Sequence, residues 1–411
     1  TFDHQFGPVQ IGLERAWEKV AAGQSSSFAI ATDGSLWSWG RNSSGVLGHG
    51  STSTEPQPKR VGTDNDWFQI SAGVYHAVAI KKDGTLWAWG ENAQYQIGDG
   101  TNTDHGEPVR IGVDNDWIAV AAGGWHTLGL KKNGTLWTWG DNSYGQLGAP
   151  GTTGGPRQVG TDSSWRKIAA GSEYSAALRQ DGKLWTWGNN SRGQLGDGTT
   201  AARTLPMQIG GADWEALGAG AQHLLVIKSN GTLWSWGSNG KGELGDGTNV
   251  DRSVPSQIGN AANWTHVTAS AHSVALTQNG SLFAWGANVV GQVGDGVGYT
   301  QSTPRQIGTE ATWVEAKAGG GFSIARKSPG TLWAWGENRD GEVGDGTTTP
   351  RPAPIQIGSA TDWAQLSSEY SHSVGLKTGG SLWTWGQDLP PPTQLGAATN
   401  WGVISANFRY G

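Results

Sequence analysis

The side chains able to do chemistry in this chain come in series. His76, His126, His223, His272 and His372 recur at one place in a repeating stretch of sequence, and Ser26, Tyr174 and Phe322 hold that place in other copies. Imidazoles can bind a transition metal or shuttle protons. A repeat spreads its residues around the molecule instead of converging them, so each histidine is expected to satisfy a backbone group. Asp99, Asp197, Asp246, Asp295 and Asp345 stand in Gly-Asp-Gly triplets, a pattern with a calcium reading. His49 and Ala149 replace the Asp in two copies and no Gly-Gly-x-Gly-x-Asp run occurs, so an Asp that closes its own turn is the cheaper account. Asn42, Asn92, Asn142, Asn190, Asn239, Asn288 and Asn338 read as loop fasteners in the same way. The Asn-Gly-Thr triplets at Asn133 and Asn230 fall on tight turns, and turn chemistry explains them without glycosylation.

The sharper enzyme signatures are missing. The chain has 411 residues and 0 Cys, which excludes disulfides, thiolate metal sites and a cysteine nucleophile. It contains no Gly-x-Ser-x-Gly elbow, no phosphate-cradling Gly-rich loop with Lys and no His-Glu-x-x-His pair. The expectation is a non-enzyme with no catalytic residue, metal or cofactor. A balance of 28 basic against 34 acidic residues, net −6, argues against nucleic acid as a partner. No apolar run approaches the ~18 residues of a membrane span, so membrane insertion is not expected. Thr1, Phe2, Asp3 and His4 carry no basic-then-apolar leader and read as a processed start. Low charge, abundant Ser, Thr and Asn and the absence of Cys point to a secreted or cell-surface bacterial protein.

What positions these series is a repeat of about 49 residues. Trp-x-Trp-Gly occurs from Trp37, Trp87, Trp137, Trp185, Trp234, Trp333 and Trp383, and in an eighth copy Phe283 precedes Trp285. A further Trp opens each unit, at Trp17, Trp67, Trp117, Trp165, Trp214, Trp264, Trp313, Trp363 and Trp401. Of the 25 tryptophans only Trp125 falls outside this scheme, so the others are read mainly as mortar. Each unit reads as four short strands: one after the opening Trp, one such as Leu128 to Lys131, a tight turn such as Asp83-Gly84, the Trp-x-Trp strand, and after a longer loop a Pro-led strand. Pro58, Pro108, Pro156, Pro206, Pro255, Pro304 and Pro354 suit an outer edge strand that can lack a donor. Alternation puts Trp137 and Trp139 on one side of the strand and Thr138 on the other, giving a bulky and a slim face. Stacking bulky onto slim around an axis gives an all-β fold, a single β-propeller of four-stranded blades.

The elements Trp-x-x-Ile-Ala-Ala-Gly (from Trp165), Asp-Gly-Thr-Leu-Trp-Ala-Trp-Gly (from Asp83) and Gly-Gln-Leu-Gly-Asp-Gly-Thr (from Gly193) resemble the regulator of chromosome condensation repeat family over nearly the whole chain. The resemblance implies a propeller, usually of seven blades, and a binding function: relatives include a nucleotide exchange factor on chromatin, a plant ultraviolet-B photoreceptor and a bacterial β-lactamase inhibitor. Here the repeats are expected to run over about 17–66, 67–116, 117–164, 165–213, 214–263, 264–312, 313–362 and 363–400. Trp401 then opens a further unit, and residues 401–411 with 1–16 are expected to make a split ninth blade, the C-terminus giving the inner pair and the N-terminus the outer pair. Eight blades is the alternative.

A symmetric scaffold presents specificity where its copies differ. The loop after the first strand differs most, and Tyr75, Trp125, Tyr174, Phe322 and Tyr370 give it an aromatic rim of the kind enriched at interface hot spots. Trp125 is the sharpest candidate, because the repeat does not require it. Arg192, Lys241, Arg339, Tyr95 and Tyr144 are expected to lie in the opposite set of loops as a second surface. The expected function is a protein-protein interaction or scaffold propeller with an unidentified protein partner, and a carbohydrate-binding surface protein is the alternative. Light sensing ranks lower, since Gly124-Trp125-His126-Thr127 lacks the Arg of the photoreceptor's Gly-Trp-Arg-His-Thr signature. Exchange on a GTPase also ranks lower, since no insertion loop interrupts the repeats.

Overall fold

Each Asp-Gly-Thr turn is locally determined. Asp83 Oδ1 accepts from the Thr85 backbone N–H at 2.9 Å and from its hydroxyl at 2.7 Å. The Thr85 hydroxyl in turn accepts the Trp87 indole N–H at 2.9 Å. Gly84 sits at φ 81°, and a Cβ there would lie 2.1 Å from the Asn115 carbonyl oxygen, so the turn needs glycine for both conformation and space. This turn sends the chain back as an antiparallel hairpin, and two more reversals complete a sheet.

The computed structural model describes residues 5–11, 17–22, 26–151, 153–369 and 371–386. Among them are eight four-stranded antiparallel sheets. In blade 3 the order from the innermost strand outward is Trp117–Ala122, His126–Lys131, Leu136–Gly140 and Thr153–Gln158. The bulky-onto-slim stacking holds. Trp139 is fully buried in a cluster with Val78, Ile80, Leu86 and Ala88 of blade 2, and Trp137 packs against the same cluster. Trp117 meets Trp137 and Trp139 edge to face, with centroids 5.9 and 6.0 Å apart. Burying one indole removes ~150–250 Å² from water, worth roughly 4–6 kcal/mol before entropy is set against it.

A recurrent cation clamp finishes the end of the blade away from the long loops. Lys131 Nζ lies 4.8 and 4.4 Å from the ring centroids of Trp117 and Trp137, and 2.6 Å from Asp114 Oδ2. Lys81, Arg179, Lys228, Lys327 and Lys377 repeat it over their own tryptophan pairs. The Asp partners are about half-exposed, so the ion pairs contribute about 0–1 kcal/mol and the desolvated cation–π contacts the larger share.

The ring closes at eight blades, not nine. Gln5–Ile11 is the outermost strand of the last blade and pairs with Leu382–Gly386, with Gln5 opposite Gly386 and Val9 opposite Thr384. The segment expected to supply an outer pair thus supplies one strand, and Pro8 takes the place that Pro58 has in the first blade. Trp17 and Trp39 of blade 1 are buried directly against Val374, Leu376 and Leu382 of blade 8, which leaves no gap for a further sheet. Trp401 and its neighbours lie outside the described residues.

Candidate functional site

Strand parity decides where the variable loops emerge. In a four-stranded antiparallel blade the loops after the first and third strands leave at the same end. Hydrogen bonds tie them together: the Glu91 N–H donates to Tyr75 O at 2.8 Å, the Asp141 N–H to Trp125 O at 2.7 Å and the Ser238 N–H to Gln222 O at 2.8 Å. The residues expected to form a second, opposite surface, Arg192, Lys241, Arg339, Tyr95 and Tyr144, therefore share one face with Tyr75 and Trp125. This corrects the expectation of a second, opposite surface, because strand direction puts both sets of loops at one end.

On that face lies a cavity of about 720 Å³. Tyr75 and Trp125 line it from blades 2 and 3, with centroids 5.7 Å apart at 47°, both half-buried. Glu173 and Arg192 reach it from blade 4, and Gln222, Lys241 and Glu243 from blade 5. Arg192 Nη1 is 3.4 Å from Asp251, whereas no carboxylate among the described residues pairs with Lys241. Blade 6 adds an apolar shoulder on the same face, where Val289 and Tyr299 are 76% and 74% exposed. Tyr95 holds φ 63°, in a place where Gly45, Gly145, Gly193, Gly242, Gly291 and Gly341 take the same left-handed conformation. Carrying a side chain there costs on the order of 1 kcal/mol, a strain that tends to mark functional surfaces.

The other aromatic candidates divide differently. Tyr174 and Phe322 are fully buried, so they are not part of a rim. They occupy the histidine position between blades, where Tyr174 OH donates to the backbone oxygens of His223 at 2.7 Å and Gly220 at 3.1 Å. Tyr370 lies outside the described residues.

Four of the histidines are structural bridges to side chains instead of the backbone groups expected, whereas His372 bonds the Ser26 backbone as expected. His126 Nε2 meets Ser175 Oγ of the next blade at 3.0 Å. The Ser175 hydroxyl donates to Gln146 O at 2.8 Å, where the Trp187 indole also donates at 2.8 Å. A hydroxyl that spends its proton this way must accept from the imidazole, which fixes the Nε2–H tautomer. His76 with Thr127, His223 with Ser273 and His272 with Ser323 repeat the contact. Burial holds His223 and His372 down at about 4 and His272, with His223 nearby, at about 3, so these three rings stay neutral at neutral pH.

The Gly-Asp-Gly aspartates close their own turns as the sequence suggests. Asp197 Oδ1 accepts the Thr199 N–H at 2.9 Å, and Asp246 Oδ1 the Thr248 N–H at 2.9 Å. Each also holds an arginine of its own outer strand, Arg203 and Arg252. Asn190 fastens the loop through Leu195 N–H and Thr199 O. Among the described residues no group of three or more His, Asp or Glu side chains is placed to hold a metal ion.

With this geometry in hand, comparison gives the family. Residues 5–325 match the RCC1-like domain, and residues 329–376 match the Regulator of chromosome condensation (RCC1) repeat, so the chain belongs to the RCC1-like propellers. Its fold is similar to that of human WBSCR16, at 19% identity and TM-score 0.67, over 86% of this chain and 99% of that one. It is also similar to Prp20p of Saccharomyces cerevisiae, described with its binding properties to Gsp1p and histones, at 19% identity and TM-score 0.64 over 92% of each chain. Yeast RCC1 (Prp20) in complex with Kap60 matches at 19% identity and TM-score 0.63, over 92% of this chain and 93% of that one.

Proposed function

We propose that this chain is a non-catalytic, protein-binding propeller that captures a protein partner on the face built by its first-to-second and third-to-fourth strand loops. The observation that carries the reading is the Tyr75–Trp125 pair. Neither residue is called for by the repeat, the two come from different blades, and they meet at the wall of the loop-face cavity. The exposed Val289 and Tyr299 widen the same face into an apolar-and-aromatic surface of interface composition. The yeast relative's description with Gsp1p and histones supports a binding role in the family, and the partner of this chain is not inferred from it.

The test is capture of proteins from the source cell by the full chain, by Tyr75→Ala with Trp125→Ala, and by Glu107→Gln as a surface control. The double variant is expected to lose its specific partner, with a drop of roughly 2–4 kcal/mol in affinity, while its urea midpoint stays near the parent. A partner retained at full affinity by the double variant sinks this face. The half-buried ring pair beside polar groups also favours a carbohydrate reading. Binding on a glycan array that vanishes in the double variant would put that second reading first.

A further inference from the structure

We propose that the loop-face cavity is a receptor for a cationic side chain, a guanidinium or ammonium group projected by the partner protein. The proposal deepens the reading above and rests on it. Glu243 stands where Gln96, Gln146, Gln194 and Gln292 stand in other blades. Glutamine at this place uses Oε1 to accept a backbone N–H two residues back, as Gln194 does from Arg192 at 2.9 Å. Glu243 does the same with Oε2, from Lys241 at 2.8 Å. Where glutamine has an NH₂ donor, this blade therefore has a second carboxylate oxygen. Glu243 is only 9% exposed and lines the cavity, so that oxygen is an acceptor held in a largely desolvated floor.

A second, independent group points the same way. His223 is 2% exposed and lines the same cavity. The Ser273 hydroxyl donates to Glu243 O at 2.7 Å, so His223 Nε2 must donate to Ser273 Oγ, 3.1 Å away. The imidazole lone pair is thereby placed on Nδ1, which has no hydrogen-bond partner among the described residues. Burial keeps the ring unprotonated down to about 4, so Nδ1 stays an acceptor at neutral pH. Glu173 accepts the Asn189 side-chain N–H with Oε2 at 2.6 Å and leaves its other oxygen over. The walls are the Tyr75 and Trp125 rings, whose faces attract cations.

Arg192 and Lys241 are the opposing charges. Arg192 is 57% exposed and leans on Asp251, and the Lys241 side chain is exposed, so solvent screens both at the rim. The acceptors Glu243 and His223 are the buried groups, where the effective dielectric is lower and charge counts for more.

The experiment titrates the full chain with Nα-acetyl-L-arginine amide, its neutral isostere Nα-acetyl-L-citrulline amide, and Nα-acetyl-L-glutamic acid amide, followed by saturation-transfer NMR. The arginine compound is expected to bind with a Kd of about 1–10 mM and the citrulline compound roughly tenfold more weakly. Glu243→Gln, which restores the residue of four other blades and keeps the Lys241 backbone bond, should bring the arginine compound to the citrulline level with no loss in urea midpoint. Equal binding of the two, binding unchanged in Glu243→Gln, preference for the glutamate compound, or no binding of the arginine compound each overturns the proposal. A protein partner lost by the Tyr75 and Trp125 double variant but kept at full affinity by Glu243→Gln would overturn the cation receptor while leaving the loop face standing.

Discussion

Glu342 shows how one residue departs from its repeat with a measurable consequence. It occupies the place of Gln292 one blade earlier and accepts the Asp340 N–H at 2.9 Å. Burial, reinforced by Asp340 and Glu337, pushes its carboxyl up to about 7 from an ordinary 4.5. Between those values the folded chain holds the proton more tightly than the unfolded chain, so Glu342 removes stability as pH rises through that window. Gln292 makes the same loop bond to Val290 N–H at 3.1 Å, so Glu342→Gln keeps the geometry and drops the charge. Its urea-derived stability at pH 8 is expected to exceed the parent's by about 1–3 kcal/mol, with no gain at pH 4.5. The buried histidines give the opposite limb. His223 and His372 lie near 4 and His272 near 3 when folded, against an ordinary 6.5. Their contribution is complete above 6.5 and is lost as pH falls toward 4, because the unfolded chain takes up the protons first. Three histidines outweigh one carboxyl, so parent stability should climb with pH to a plateau above about 7, and the variant should climb more steeply between about 4.5 and 7. A stability difference between the two proteins that does not change with pH would remove Glu342 from this role.

At the scale of strands and loops, each blade covers the outer edge of the next. The second Gly of the Gly-Asp-Gly loop donates its N–H across the gap: Gly50 to Gly106 O at 2.7 Å, Gly100 to Gly154 O at 2.6 Å, Gly198 to Ser253 O, Gly247 to Ser302 O and Gly296 to Pro352 O. Blade 3 has Ala149-Pro150 there, and proline has no N–H to give to Thr204 of blade 4. The neighbouring outer strand, Arg203–Ile209, also exposes Leu205 at 60%. Replacing Ala149 and Pro150 together by Asp and Gly should supply the missing bond and raise stability by about 0.5–1.5 kcal/mol, less the entropy that glycine adds to the unfolded chain. Slowed exchange of the new residue 150 amide is the direct readout, and an amide exchanging at the rate of an open loop would count against the edge-cover account.

The same scale shows what could be read from the sequence. Trp137, Thr138 and Trp139 announce a strand with a bulky and a slim face, and Asp83-Gly84 announces its hairpin, because period and turn chemistry are local. Tyr174 and Phe322 are the first residues of their strands and not the last of the preceding loops, a shift of one position that separates a buried side chain from a solvent-facing one. The side of the molecule reached by Arg192 and Lys241 was available from strand parity alone. The cation clamp had a signal too, a Lys or Arg at the end of the second strand in six units, but its meaning depends on two tryptophans that only folding brings beside it. Glu243 was not legible as special, because its distinction lies in facing a cavity assembled from five blades.

For the whole molecule the decisive interaction is the closure, which joins residues from the two ends of the described chain with no covalent bond, since cysteine is absent. Counting units alone gives nine blades, whereas the ring is settled by which strand the N-terminal segment pairs with. In a ninth-blade arrangement Val9 would pair within a sheet completed by residues 401–411. In the eight-bladed ring it stands opposite Thr384. Val9→Cys with Thr384→Cys tests this cleanly, because these would be the chain's only thiols. Oxidation is expected to link the two sites in a single peptide pair seen by mass spectrometry, and to close a loop spanning nearly the whole chain. In the chain-entropy account such a loop removes about 6 kcal/mol of freedom from the unfolded state, so the oxidised form should unfold at higher urea and return to the parent midpoint on reduction. The gain should appear as one cooperative transition, because the blades' indoles are buried partly against the preceding blade and a ring that cannot open at its seam must lose all of its interfaces together. Thiols that stay free under oxidising conditions, or a link that leaves the midpoint where it was, would show that the ring is not held at this seam.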